Sequence, residues 1–112
     1  MNRAKSVWLA STTGALFALA PVVSFARAET EAEKVAAGAI VYADYCANCH
    51  GEQLRNTSGG GTFDLRRLRS ADRDRFFSVV LNGKSPMPPW RGILQSHQIE
   101  SIWAYIRANV DR

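Results

Sequence analysis

The only two cysteines of the chain lie three positions apart, and a histidine follows them directly in Cys46-Ala47-Asn48-Cys49-His50. One turn of helix can present both thiols to the two vinyl groups of a porphyrin, with the adjacent imidazole placed against the iron. Cys-x-x-Cys-His is the attachment signal of a c-type haem. The motif therefore predicts one haem c, attached through Cys46 and Cys49, with His50 as an axial ligand of the iron.

The cysteine pair has three other possible uses. A disulfide would close a very short loop and would leave His50 without a role. A thioredoxin-like redox pair would need a preceding strand and a following β/α pattern, and neither is visible. Zinc would need a fourth ligand, and His97 has no candidate ligand near it in the sequence. These alternatives explain less of the motif than haem does.

A proline-rich loop carries the candidate for the second axial ligand. Three prolines at positions 86, 88 and 89 exclude a helix and stiffen the chain around Met87. Met87 is the only methionine besides Met1, and it follows His50 by 37 residues. A lone methionine usually fills a core, but the stiff loop favours ligation through the thioether, which stabilises ferrous iron and raises the reduction potential.

His97 competes with Met87 for the same coordination position. Imidazole also binds haem iron, and a haem with two histidine ligands would have a lower potential than one with histidine and methionine. His97 falls in the first turn of a predicted helix with an exposed start, which favours a solvated side chain.

The first 28 residues have the pattern of a secretory signal peptide. Two basic residues precede a mostly apolar stretch at 7–23, and Ala26-Arg27-Ala28 forms an Ala-x-Ala cleavage site. A retained membrane anchor is the alternative, but Pro21 weakens a stretch that is already short for a bilayer. We expect cleavage after Ala28, export to the periplasm, one domain over 29–112, and no stable membrane span after cleavage.

Cleavage would change the charge of the protein. Three basic residues leave, so fourteen become eleven against ten acidic residues, and the net charge falls from +4 to +1. Two haem propionates would bring it to about −1. The basic precursor is thus no argument for a nucleic-acid partner. A mature piece of 84 residues builds a marginal core, which a covalently held porphyrin would stabilise.

Apolar periodicity predicts three main helices and no strand. The first covers 32–47, the second 71–82 with Ser70 as its cap, and the third 97–108 with Ser96 as its cap. Gly38 lies on one face of the first helix with Tyr42 and Cys46; it either admits another backbone or is merely tolerated. The glycine-rich loop at 51–62 either passes close to a flat ligand or connects flexibly.

Residues 32–110 resemble the class I mono-haem c-type cytochromes. In that family a glycine and an aromatic residue precede the first haem cysteine by eight and four positions, the first and last helices cross, and a Met-Pro loop supplies a ligand. The residues that match are Gly38, Tyr42, Ile102, Tyr105, Met87 and Pro88. The resemblance implies an all-α class I cytochrome c fold, with three main helices around one covalent haem, and one-electron transfer through an exposed haem edge. No substrate pocket or general acid/base pair is evident in the sequence, so we expect no enzymatic activity.

The run Met87-Pro88-Pro89-Trp90 narrows the resemblance to cytochromes that serve quinoprotein alcohol dehydrogenases. That likeness implies a quinoprotein dehydrogenase as electron donor, and a terminal oxidase or another cytochrome as acceptor. Two alternatives stay open. The protein could be a gas-binding or peroxidase-like haem protein with an open sixth position, or a dedicated haem subunit of one dehydrogenase.

One departure from the family pattern and one run of charges leave questions open. The family usually has a Gly-Pro whose carbonyl accepts the ring N–H of the haem histidine, whereas residues 61–63 occupy that place here, so the identity of the acceptor is open. The second feature is a run of arginines that either surrounds a solvated helix start or neutralises haem propionates and steers an acidic partner. Trp90 and Arg91 are better placed to reach the haem rim. The arginines of the run are Arg66, Arg67, Arg69, Arg73 and Arg75.

Overall fold

The computed structural model describes residues 14–15, 17, 19–56 and 61–111. The basic start of the predicted signal peptide and residues 57–60 of the glycine-rich loop lie outside these ranges. Residues 19–30 form no helix and are exposed. Within the described ranges, no helix combines the length and apolar character needed to cross a bilayer. Cleavage after Ala28 and the domain boundary at 29 stay predictions.

The described chain is helical and contains no strand, which confirms the predicted all-α architecture. Its three main helices are α1 (Glu31–Tyr45), α3 (Arg73–Asn82) and α4 (Ser96–Val110), and the single turn α2 (Ala47–His50) follows α1. Three 3₁₀ turns lie between them, at Glu52–Leu54, Leu65–Arg67 and Ser70–Asp72.

Helix α1 begins and ends earlier than the sequence predicts. Thr30 caps it: the Thr30 hydroxyl accepts from the Glu33 N–H at 3.2 Å, and the Glu33 carboxylate accepts from the Thr30 N–H at 2.7 Å. This reciprocal pair also holds the pKa of Glu33 below its usual value. The helix stops at Tyr45, and Cys46 joins it to α2.

The predicted serine caps of the other two helices are wrong. Ser70 starts a 3₁₀ turn before α3, because Asp72 accepts from the Arg69 N–H at 2.8 Å and closes that turn. Ser96 is the first residue of α4 and does not cap it. The Gln98 side chain accepts from the N–H of Gln95, the residue before the helix, at 2.9 Å. In both places a side chain three positions downstream accepts from the N–H of the residue before the serine, so the turn or helix starts one residue earlier than a serine cap would place it.

Helices α1 and α4 cross at Gly38. A Cβ at Gly38 would lie 1.8 Å from the Ser101 carbonyl oxygen, so the two backbones approach too closely for any side chain there. One helical turn further along, the rings of Tyr42 and Tyr105 pack with centroids 5.2 Å apart. The interpretation of Gly38 as a close-approach residue is therefore right, and Ile102 and Tyr105 lie at the crossing as expected.

The core fills the space between the crossing and α3. Its side chains are apolar and at most 9% exposed, and α4 supplies more of them than any other described element. They are Tyr42, Leu54, Leu68, Phe76, Val80, Leu94, Ile99, Ile102, Trp103 and Ile106.

Candidate functional site

A cavity of about 420 Å³ opens beside this core. Its volume falls within the ~300–1,000 Å³ of ordinary small-molecule and cofactor sites. The wall is mostly apolar and draws on every main helix and on the loops between them. Residues of the wall include Tyr45, Cys46, Cys49, His50, Phe63, Leu68, Arg75, Phe76, Val80, Lys84, Met87, Trp90, Ile102 and Ile106.

All four residues predicted for the site lie in this wall. Cys46 is half-buried, Cys49 is exposed, and no disulfide joins them. Burial, with a smaller contribution from Cys49, raises the pKa of Cys46 to about 11, so its thiol is protonated at neutral pH. The single turn α2 holds the motif together, with the His50 N–H donating to the Cys46 carbonyl at 2.9 Å.

The ring of His50 is oriented by the backbone of Phe63. Its Nδ1 lies 3.1 Å from the Phe63 carbonyl oxygen. A carbonyl can only accept, so Nδ1 carries the proton and the lone pair of Nε2 is left for a metal. Burial lowers the pKa of His50, and this outweighs the opposing effect of the bond to Phe63, so the site favours the neutral ring. The acceptor that the sequence left open is therefore the Phe63 carbonyl.

Phe63 is held from both sides along the chain. Before it, the Asn56 side chain donates to the Thr62 carbonyl across the glycine-rich loop. After it, Asp64 accepts from the Arg66 N–H at 3.0 Å and pairs with the Arg66 guanidinium at 2.9 Å. That hydrogen-bonded pair lowers the pKa of Asp64. Sequence reasoning missed both Asn56 and Asp64, although an aspartate just before a short turn is a usable signal.

Tyr42 ties α1 to the residue directly after the motif. Its buried hydroxyl donates to the Gly51 carbonyl at 2.7 Å. Burial raises the pKa of Tyr42, which keeps this donor protonated. Gly51 has φ of +81°, and a Cβ there would lie 1.7 Å from the Arg55 carbonyl oxygen. The turn that carries the chain away from His50 therefore requires glycine.

Met87 sits in a tight turn that begins at Gly83. Lys84 and Met87 exchange backbone hydrogen bonds of 3.1 and 2.8 Å. Gly83 has φ of +73°, and a Cβ there would lie 2.8 Å from the Met87 carbonyl oxygen, so the turn closes only around glycine. The half-buried Met87 side chain packs against the core and lines the cavity.

The same loop is anchored to the end of α3. The Trp90 N–H donates to the Val80 carbonyl at 2.9 Å, and the Arg91 N–H donates to the Leu81 carbonyl at 3.2 Å. These carbonyls have no partner within the helix, so the loop satisfies the end of α3 and the helix fixes the loop. Both sides of Met87 are thereby held by backbone hydrogen bonds.

The charged residues of the described cavity wall are the two cations Arg75 and Lys84. Arg75 lies over the Phe63 ring, 5.8 Å from its centroid, and contacts Asp72 at 3.4 Å. The expectation that Arg91 reaches the rim is not met, because its guanidinium donates to Asn82 at 2.8 Å. Trp90 does line the cavity.

Three other arginines of the run form surface ion pairs. Arg66 pairs with Asp64, Arg69 contacts Asp72, and Arg73 pairs with Glu100. These contacts are exposed, where ion pairs contribute little to stability.

The other candidate metal ligands receive no support from the geometry. His97 is exposed near the start of α4 and does not line the cavity. Among the described residues, no group of three or more His, Cys, Asp or Glu side chains is arranged to hold a metal ion. The cavity wall instead offers two thiols, one imidazole nitrogen, one thioether and a broad apolar surface, and this donor set fits a covalently attached haem.

Residues 33–106 match the family model described as cytochrome c oxidase, cbb3-type, subunit III. Among characterised proteins, the chain is 34% identical over 79 residues to cytochrome c6 of Rippkaea orientalis, covering 68% of this chain and 71% of that one. It is also similar to cytochrome c6 of Nostoc, with 30% identity over 77 residues that cover 66% of this chain and 69% of that one.

The chain is also similar to a quinohemoprotein alcohol dehydrogenase of Pseudomonas putida, ADH IIB, at 35% identity over 77 residues. The match covers 66% of this chain and 11% of the dehydrogenase. The chain therefore spans about a tenth of that enzyme's length. No solved structure matches significantly.

Proposed function

The chain belongs to the cytochrome c family, and from this membership we propose that it is an exported one-electron carrier whose haem iron is ligated by His50 and Met87. Members of the family carry haem c attached through the cysteines of Cys-x-x-Cys-His, here Cys46 and Cys49. When bound, the haem supplies an iron that gains and loses one electron. The ligand pair, the export and the partners are the proposed part.

The observation that carries the proposal is that one cavity wall contains both His50 and Met87, each on a segment held by backbone hydrogen bonds. His50 offers Nε2 because its Nδ1–H is committed to Phe63. Met87 offers a soft thioether sulfur, and the turn that carries it cannot open without losing backbone hydrogen bonds. With both His50 and Met87 bound, a haem iron would have no open position for oxygen chemistry and would rearrange little on gaining an electron.

The apolar part of the wall has a second role. Leu68, Val80 and Ile106 are at most 5% exposed and exclude water from the interior of the cavity. A dry, apolar surround disfavours the charged ferric state, so it adds to the effect of a thioether ligand in raising the reduction potential.

We also propose the cell compartment and the electron-transfer partners. The leader pattern supports cleavage after Ala28 and a mature periplasmic domain over 29–112. The likeness to quinohemoprotein alcohol dehydrogenases supports a quinoprotein dehydrogenase as donor. A terminal oxidase or another cytochrome is the proposed acceptor.

Visible spectra of three proteins test the ligand assignment. Wild type, Met87→Ala and His97→Ala are produced as full chains in a host with haem-attachment machinery. We expect ferric wild type and His97→Ala to share the weak far-red sulfur-to-iron band, and Met87→Ala to lack it. A wild type without the band, whose spectrum changes in His97→Ala, would assign the position to His97.

A second candidate rests on the matches to cytochrome regions within larger dehydrogenases. The protein could remain bound to one dehydrogenase as its haem subunit. Co-purification at moderate salt would support the bound subunit, whereas a saturable electron-transfer rate that falls as salt rises would support a diffusing carrier.

A further inference from the structure

Two aromatic side chains join the haem-attachment side of the cavity to the methionine loop. Tyr45 is the last residue of α1 and directly precedes Cys46, while Trp90 follows Met87 by three positions. Their ring centroids lie 5.5 Å apart with the ring planes at 81°, an edge-to-face contact. Both rings line the cavity, and Tyr45 is 38% exposed, so the contact lies at the cavity's rim.

Backbone contacts fix the positions of both aromatic residues. Trp90 donates to the Val80 carbonyl at 2.9 Å, and its own carbonyl accepts from the N–H groups of Ile93 and Leu94, each at 3.0 Å. Tyr45 belongs to α1, whose position is set by the crossing at Gly38. Neither ring can leave the contact without rotating its side chain or breaking backbone hydrogen bonds.

The contact complements the hydrogen bonds that hold the loop. Those bonds connect the loop to α3 through the backbone N–H groups of Trp90 and Arg91, which follow Met87 in the chain. The pair Tyr45–Trp90 adds a side-chain contact between the loop and α1 at the cavity wall. Swinging the loop away from the cavity therefore separates the two rings.

We propose that Tyr45 and Trp90 form an aromatic latch, which keeps the Met87 loop closed and slows the replacement of Met87 by external ligands. The latch rests on the proposed function, because it acts on Met87 as an iron ligand. Removing the ring contact should raise the fraction of open loop by ~2- to 13-fold, which is the ~0.5–1.5 kcal/mol of an aromatic pair converted at ~1.36 kcal/mol per tenfold.

Displacement of Met87 by imidazole measures the open fraction directly. At imidazole concentrations well below saturation, the rate at which the ferric holoprotein loses the far-red band in stopped flow is proportional to the fraction of open loop. We expect Tyr45→Ala to speed this loss by ~2- to 13-fold. Tyr45→Phe keeps the ring and should match wild type. Ile93→Ala removes a side chain that is 57% exposed and lies outside the cavity wall, and it should also match wild type.

Two further measurements separate a latch from a general structural role. The double variant Tyr45→Ala/Trp90→Ala gives a further test. Its fold-increase in displacement rate over wild type should be smaller than the product of the two single fold-increases, because either single substitution already removes the contact. Midpoints of denaturation are measured on every variant. A purely structural role would lower these midpoints while leaving the displacement rate unchanged. Tyr45→Leu, apolar but without a ring, replaces Tyr45→Ala if the latter does not yield protein.

The outcomes keep the latch and the proposed function apart. If wild type shows the far-red band but Tyr45→Ala and Tyr45→Leu lose it at the wild-type rate in imidazole, the latch is overturned and Met87 remains the ligand. If wild type shows no band, the ligand assignment fails and the latch fails with it.

Discussion

Substituting Gly38 by alanine should destabilise the protein through the crossing of α1 and α4. The new Cβ would lie 1.8 Å from the Ser101 carbonyl oxygen and 3.0 Å from the Ile102 backbone nitrogen. Because real Cβ contacts stay beyond 3.0 Å, the helices must separate by at least about 1.2 Å, the difference between 3.0 and 1.8 Å. The opposing atoms are backbone, so no rotamer change relieves the overlap.

The magnitude follows from two opposing effects. Overpacking a tight contact costs ~1–3 kcal/mol, and the rigid backbone partner places Gly38→Ala at the upper end. Against this, replacing glycine by alanine inside a helix stabilises the helix by ~1 kcal/mol through its higher helix propensity. The expected net loss is therefore about 2 kcal/mol, which lowers the midpoint of thermal unfolding by about 8–16 °C in a domain of this size.

Denaturant titration of the holoprotein, followed by far-ultraviolet circular dichroism, measures this loss. Ala36→Gly is the matched control, because Ala36 is exposed on the same helix and reports the propensity effect alone, about 1 kcal/mol. A Gly38→Ala protein as stable as wild type, or more stable, would refute the close approach of the two backbones.

Three further substitutions probe single contacts, each read by denaturant titration of the holoprotein. Tyr42→Phe deletes the hydroxyl that donates to the carbonyl after the haem motif, and should cost ~1–3 kcal/mol because a buried acceptor loses its donor; an unchanged midpoint would contradict this. Arg107→Met loses the 2.7 Å hydrogen bond to the Leu68 carbonyl and should lower the free energy of unfolding by about 2 kcal/mol. A decrease below ~0.5 kcal/mol would contradict a stabilising role for that bond. The Arg69 backbone N–H lowers the pKa of Asp72, so the charged carboxylate stabilises the fold above its unfolded pKa of ~3.9 and that contribution is lost as pH falls through the lower folded pKa. Asp72→Asn should therefore lose less stability than wild type between about pH 5 and pH 2, and equal losses would rule this out.

Candidate site residues could be chosen from the sequence because each does recognisable chemistry. The Cys-x-x-Cys-His motif and the stiff methionine loop pointed to four residues, and the structure places all four in one cavity wall. The three main helices were also predictable, since their apolar faces repeat at helical spacing. Gly38 was ambiguous from the sequence, because whether a glycine is needed depends on what lies opposite it, here Ser101.

The contacts that orient the ligands could not be predicted. The acceptor for His50 is a backbone carbonyl, which every residue of the loop offers equally, so only the folded path of the chain selects Phe63. The two serine caps were wrong because Asp72 and Gln98 accept from the N–H groups of Arg69 and Gln95, so each turn or helix begins at the serine instead of after it. The contact between Tyr45 and Trp90 spans 45 residues and has no local signature.

The central claim is that His50 and Met87 both ligate the haem iron, which exchanges single electrons. It is tested most directly by a redox titration of the purified holoprotein, repeated under carbon monoxide. We expect a reversible one-electron curve, with the spectrum of the reduced protein and the midpoint potential unchanged by the gas. Rapid carbon monoxide binding to the reduced wild type, with a shifted midpoint, would show an open sixth position and contradict the assignment as an electron carrier with His50 and Met87 as ligands.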